Sequence, residues 1–234
     1  METGLIMIEA LIFDKDGTLF DFRLSWGAWT RNLLAELGDA NGRLASVLGY
    51  DGARNDFASD SPVIAMTTPE IADILLPHLP GMGLEELLVR MNQLSADAPM
   101  VPAVDLPAVL GALRARGLKL GLATNDTELP ARRHLAGAEV LELFDFVAGC
   151  DSGFGGKPAP GQLLAFVAQC GLTPARVAMV GDSLHDLDAG RAAGMQAVAV
   201  LTGIATRGDL EAHADVVLTN ISELAAWIDE MAAA

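Results

Sequence analysis

Cysteine is scarce in this chain of 234 residues: Cys150 and Cys170 stand alone, with no C-x-x-C spacing. That excludes a disulfide framework and a cysteine-ligated zinc site, and both thiols are expected reduced in the interior. Basic residues are also few. Fifteen Lys and Arg face 31 Asp and Glu, a formal net charge of −16, so the field around the protein repels phosphate backbones and anionic lipid surfaces. Neither nucleic acid nor membrane is an expected partner. No apolar run approaches the roughly 18 residues of a spanning helix. The opening METGLIMIEA, with acidic Glu2 and no basic flank, is a poor secretory signal, so a cytoplasmic protein is expected. The histidines His78, His134, His185 and His213 lack H-E-x-x-H or similar spacing, and none is assigned to metal. Internal repeats and low-complexity tracts are absent apart from the trailing Ala232-Ala233-Ala234.

What is present is globular material. With 51% hydrophobic and 20% charged residues, the chain is neither disordered nor collagen-like, and its length suits one large domain or one domain carrying an insertion. Ile6 to Phe13, IMIEALIF, is nearly continuous apolar and reads as a central strand buried on both faces. From Pro99-Met100-Val101-Pro102 onward, strands alternate with helices. A helix follows Asp105, with Pro107 in its first turn and Gly117 closing it. Strands are expected at Leu118–Ala123, Phe144–Ala148, Val177–Val180, Gln196–Leu201 and Asp215–Leu218. Helices are expected at Glu128–Leu135, Gly161–Cys170, Leu184–Ala193 and Ile221–Met231. The fold class is therefore α/β: a Rossmann-like parallel sheet with helices on both faces, whose strand-end loops converge. Asp21 to Pro99 breaks this rhythm with four helical segments, Trp26–Leu37, Gly42–Leu48, Pro69–Leu76 and Leu84–Leu94, and reads as an inserted helical unit. The expected division is a core of residues 1–20 and 100–234 and an insertion of 21–99, with hinge-like linkers between them.

Four strand-end loops carry the chemistry. The first holds Asp14, Asp16, Gly17 and Thr18; the second Thr124, Asn125 and Asp126; the third Lys157-Pro158 after a glycine-rich approach; the fourth Asp182, Ser183 and Asp186 after Gly181. Each alone has a bland reading as a turn, a helix cap or a solvated lysine. A calcium loop starting at Asp14 fails, because Ser25 stands where a bidentate glutamate belongs. Jointly, four carboxylates at neighbouring strand ends repel unless a divalent cation lies among them, and an all-oxygen ligand set points to magnesium. A phosphate site fits that arrangement.

In these motifs, D-x-D-G-T at Asp14–Thr18, Thr124, Lys157-Pro158 and G-D-S-x-x-D at Gly181–Asp186, the chain resembles the haloacid dehalogenase-like hydrolase superfamily. The insertion after the first motif is similar to the helical cap of its phosphoglycolate phosphatase-like branch. The resemblance implies that Asp14 is the nucleophile, forming an aspartyl phosphate, and that Asp16 is the general acid and base. It also implies Mg2+ between Asp14, the backbone carbonyl of Asp16 and Asp182, with Asp186 as a further ligand or a support for the ligands. Thr124 and Lys157 would bind the phosphoryl oxygens, helped by amides around Gly17, Thr18 and Asn125. The aspartate at Asp16 argues for phosphoester rather than carbon–halogen chemistry. The expected activity is hydrolysis of a small phosphorylated metabolite, phosphoglycolate foremost, by a monomer or homodimer. A sugar phosphomutase of the same superfamily and a non-catalytic binding or regulatory protein are the alternatives. In the cap, Arg23 and Arg54 are the arginines positioned to meet a substrate carboxylate or second phosphate, but the plainer reading leaves them solvated. Trp26 and Trp29, three apart on one helical face, are read as packing.

Overall fold

The computed structural model describes residues 7–233. In chain order, strand β1 (Ala10–Phe13) leads into α1 (Phe22–Glu36), α2 (Arg43–Val47), a ribbon of β2 (Tyr50–Asp51) and β3 (Asp56–Phe57), α3 (Pro62–Ala65), α4 (Thr68–Leu75) and α5 (Leu84–Ala96). The alternating part follows as α6 (Leu106–Ala115), β4 (Lys119–Ala123), α7 (Glu128–Gly137), β5 (Phe146–Ala148), α8 (Gly161–Cys170) and β6 (Val177–Gly181). It closes with α9 (Leu184–Ala193), β7 (Gln196–Val200), α10 (Arg207–Leu210), β8 (Val216–Leu218) and α11 (Leu224–Ala233).

Six strands form one parallel sheet in the order β5-β4-β1-β6-β7-β8. β1 lies between β4 and β6, and all four of its side chains are buried. Alternate residues serve opposite faces, as the two-residue period of a strand requires. Leu11, Phe13, Leu120, Leu122 and Val180 pack with Leu110 and Leu113 of α6, Leu135 of α7 and Trp227 of α11. Ala10, Ile12, Phe146 and Met179 pack on the other face with Leu163 and Phe166 of α8 and Ala189 of α9. The helix at Asp105 forms as its signals require: the Asp105 carboxylate accepts from the Ala108 amide at 3.1 Å, and Gly117 follows at φ +83°.

The expected first strand started at Ile6, which lies outside the described residues. Regular pairing begins only at Ala10, because its neighbours begin opposite it, at Lys119 and Val177. The last helix starts as a 3₁₀ turn at Ile221–Glu223 before α11. The β2–β3 ribbon has no counterpart in the sequence reading, since two-residue strands are too short to show alternation. Cys150 and Cys170 are unpaired, as expected, but half-buried rather than interior. No helix among the described residues is long and apolar enough to cross a membrane.

The helices from α1 to α5 hold a separate apolar cluster in which Leu33, Leu48, Leu75 and Leu87 are fully buried and Trp26 and Trp29 meet edge to face. Each such leucine contributes roughly 1.5–3 kcal/mol of transfer free energy. The two crossings to this unit run side by side: the Asp21 amide donates to the Val101 carbonyl at 2.8 Å and the Ala103 amide to Leu19 at 2.9 Å.

Candidate active site

Adjacent strands fix the centre of the site. In the order β4-β1-β6, Phe13 is level with Leu122 and Val180, so the chain leaves the sheet at Asp14, Thr124 and Asp182 side by side. Asp14 stays on the ladder through its amide, which donates to the Val180 carbonyl at 2.8 Å; the Thr124 amide donates to Ala148 at 3.1 Å. The first loop then turns sharply at Gly17, φ +85°, where a Cβ would overlap the Asp182 carboxylate. Glycine is required there on both counts.

Lys157 enters from the loop after β5. Its ammonium lies 2.5 Å from Asp14 Oδ1 and 2.7 Å from Asp186 Oδ1, and the side chain is only 3% exposed. Both neighbours hold the lysine pKa above its ordinary value although burial pulls it down. Asp186 divides its oxygens: Oδ1 meets Lys157, while Oδ2 accepts from the Ser183 amide at 3.1 Å and hydroxyl at 2.7 Å, capping α9. This aspartate therefore caps a helix with one oxygen and pairs with Lys157 through the other. Burial raises the Asp14 pKa to about 7; Lys157 opposes the rise, and Asp186 and Asp16 add to it. Burial, with Asp14 and Asp186 beside it, also lifts Asp182 well above the ordinary carboxylate range.

Asp14, Asp182 and Asp186 are buried, and one carboxylate oxygen from each lies within 4.8 Å of the others. Adding Asp16 and Asp126, five carboxylates meet only two ammonium groups, Lys15 and Lys157. An excess of negative charge in so little water is costly. An all-carboxylate donor set beside a cation deficit fits a hard divalent ion. The Asp16 side chain is not among the three clustered carboxylates; it faces Lys15 at 3.3 Å, and its Oδ1 is buried without a hydrogen-bond partner among the described residues. Burial first, then Asp126, raises the Asp16 pKa against the pull of Lys15.

The side chains singled out in the sequence as catalytic, phosphate-binding or metal-binding line one pocket, Asp14, Asp16, Thr124, Asn125, Lys157, Asp182 and Asp186, whereas Gly17 and Thr18 are not among its lining residues. Asn125 acts there partly as a strap. Its Nδ2 donates to the Lys157 carbonyl at 3.0 Å and to Ala65 of α3 at 2.7 Å, and its Oδ1 accepts from the Lys157 amide at 2.8 Å. Arg23 and Arg54 stay out of the pocket, paired with Asp56 at 2.7 Å and Asp51 at 3.8 Å. Trp26 and Trp29 pack on each other, as expected, yet also line the pocket.

Sequence reasoning missed a second polar cluster. Lys15, between the two aspartates, points away from Asp14, and its buried ammonium lies 2.6 Å from Asp126 Oδ2 and 3.0 Å from His134 Nδ1. It sits 5.3 Å from the centre of the Trp26 ring. Ser95 of α5 donates to Asp126 at 3.0 Å, and its carbonyl meets His134 Nε2 at 2.7 Å. Burial alone would lower the Lys15 pKa; Asp126 and Asp16 raise it above its ordinary value instead. The available signal was a lysine inside the buried D-K-D strand end, which needs a partner. Gln162 was missed too. Its amide donates to the Thr124 carbonyl at 3.1 Å and to Gly155 at 2.9 Å, tying the second loop to the third.

Comparison with known proteins agrees with the geometry. The haloacid dehalogenase-like hydrolase family matches residues 8–194. A phosphoglycolate phosphatase of Rhodospirillum rubrum is 35% identical over 95% of this chain and 91% of its own length. One of Nitrosospira multiformis is 31% identical over 92% and 93%. Among solved structures, CbbY from Rhodobacter sphaeroides in complex with phosphate superposes with a TM-score of 0.74 at 23% identity, covering 95% of this chain and all of that one. At that identity the likeness concerns the fold.

Two outcomes test the hidden cluster. Lys15→Met leaves Asp126 buried without its cation and should cost about 3–5 kcal/mol in urea unfolding, most of it regained in Lys15→Met/Asp126→Asn. His134 is held down to about 4 from an ordinary 6.5, by burial first and by the Lys15 cation second. As pH falls through that window the unfolded chain takes the proton first, so stability is whole above pH 6.5 and declines toward pH 4. Wild type should therefore lose about 2 kcal/mol more than His134→Gln between pH 7.5 and pH 5.

Proposed function

The chain belongs to the haloacid dehalogenase-like hydrolase family, and from that premise we propose that it is a magnesium-dependent phosphatase. It hydrolyses a small phosphate monoester in two transfers through an aspartyl phosphate on Asp14. The observation that carries this reading is the meeting of Asp14, Asp182 and Asp186 with Lys157 at adjoining strand ends, in a pocket that the helical unit covers. The same reading divides the chain into a core of residues 1–20 and 100–234 and a cap of 21–99.

In the first transfer, an Asp14 carboxylate oxygen bonds to phosphorus while the bond from phosphorus to the alcohol oxygen breaks. Asp16, two residues on and with a buried oxygen unclaimed by the protein, gives that departing oxygen its proton. In the second transfer, Asp16 takes a proton from water as the water oxygen bonds to phosphorus and Asp14 is released. Lys157 and the Thr124 hydroxyl bind the equatorial oxygens, where charge spreads in the transition state. Asn125 fixes the Lys157 backbone and adds its own amide to the phosphate site. Asp14, Asp182 and the Asp16 carbonyl would hold Mg2+, with Asp186 supporting the set. Such an ion screens the anionic nucleophile from the anionic ester.

Phosphoglycolate, the substrate in the names of two relatives, is the reference ester. Phosphate release measured over phosphoglycolate, sugar phosphates, nucleotides and an aryl phosphate should require Mg2+, stop with EDTA and fall by about a thousandfold or more in Asp14→Asn. Isomerised sugar phosphate without free phosphate would favour a mutase; silence on every ester would sink the enzyme reading. Gly203, after β7, tests the metal assignment separately, since a Cβ there would overlap the Asp182 carboxylate. Gly203→Ala should raise the Mg2+ concentration for half-maximal activity by about ten- to a hundredfold with the far-UV circular dichroism unchanged.

A further inference from the structure

We infer that the ester this pocket takes has an uncharged, largely apolar leaving group, an inference that rests on the phosphatase reading above. The pocket has two unlike walls. The strand-end wall carries Asp14, Asp16, Asp182, Asp186 and Lys157; the wall from α1, α3, α4 and α5 presents Trp26, Trp29, Val63, Ile64, Met66 and Met91. A second anion on the substrate, such as the carboxylate of phosphoglycolate, would lie against this second wall and need a cation there.

None of the cap arginines supplies it. Arg23 is held by Asp56 at 2.7 Å and donates to the Gly203 carbonyl at 3.3 Å. Arg31 donates to Tyr50 Oη at 2.9 Å and to Asn55. Arg54 lies beside Asp51 with its side chain 83% exposed, Arg90 pairs with Glu86 and Glu36, and Arg43 is exposed at the start of α2. None of the five is among the residues lining the pocket. The cap hydroxyls that do line it are Thr68 and Ser95, and Ser95 is already donating to Asp126.

Cations of the core are committed elsewhere. Lys157 is shared between Asp14 and Asp186, and Lys15 between Asp126 and Asp16. His185 lines the pocket from α9, beside Asp186 on the same helix, so it belongs to the strand-end wall and not to the wall of Trp26, Trp29, Val63, Ile64, Met66 and Met91. An anionic leaving group would thus exchange water for indole, aliphatic and thioether surface among five carboxylates. A neutral one loses little hydration and gains apolar contact. With a cavity of about 50 Å³ as it stands, the pocket also favours a compact group.

Matched esters test this directly. kcat/KM is measured in excess Mg2+ for 2-hydroxyethyl phosphate against phosphoglycolate and for phenyl phosphate against 4-carboxyphenyl phosphate, with Asp14→Asn as the blank. The neutral member should lead each pair by at least about tenfold. Met66→Arg adds a cation at the rim from a side chain that is 44% exposed, so folding is not at stake; it should narrow both ratios by about tenfold, chiefly through KM for the carboxylated member. Preference of the wild-type enzyme for the carboxylated member of either pair overturns the inference and leaves the phosphatase reading standing. No phosphate from any of the four esters overturns that reading, and the inference with it.

Discussion

Five carboxylates held at one end of a parallel sheet, with two lysines to answer them, form the constraint on which the rest of this structure depends. Repulsion among such groups, sharpened by burial, would drive the loops apart if the backbone did not hold them. The backbone does hold them, because Asp14, Thr124 and Asp182 continue three strands already locked by ladder hydrogen bonds. Glycine at positions 17 and 203 lets neighbouring chain approach Asp182 more closely than any side chain would allow. The two lysines then divide the charge, Lys157 from the loop after β5 facing the pocket and Lys15 from the loop after β1 facing Asp126 and His134.

Several residues join two parts of the structure through one side chain or residue. Asp186 caps α9 and braces Lys157; Asn125 fixes the backbone of Lys157 and reaches Ala65 in the helical unit. Ser95 binds Asp126 and His134 from that unit's last helix. Covering the pocket and arranging its charges are therefore linked through short hydrogen bonds.

The cap wall contributes shape and dryness rather than charge. Its tryptophans pack edge to face and also line the pocket, so one pair of side chains belongs both to the apolar cluster of the helices and to the pocket wall. A low-dielectric wall strengthens each charge interaction opposite it, which makes the short Lys157 contacts more effective than they would be in water.

From sequence alone the strand-end aspartates, Thr124, Lys157, the parallel sheet and the helical insertion were legible, because each is encoded in a short window: an apolar run, a turn residue and a polar group at its end. Periodicity of two or 3.6 residues found the longer helices to within a few positions but passed over the four-residue helices α3 and α10 and the two-residue strands of the ribbon, which are too short to show a period. What no local window holds is pairing across distance. Lys15 meets Asp126 and His134 at separations of 111 and 119 residues, and whether Arg23 faces a substrate or Asp56 depends on where the insertion settles. The sequence by itself determined the polar groups at the strand ends and the strands that carry them, since both are local chemistry. Only the tertiary structure decided which charges are spent on one another and which wall of the pocket is left without any, because burial and distance set electrostatic energy and neither is written along the chain.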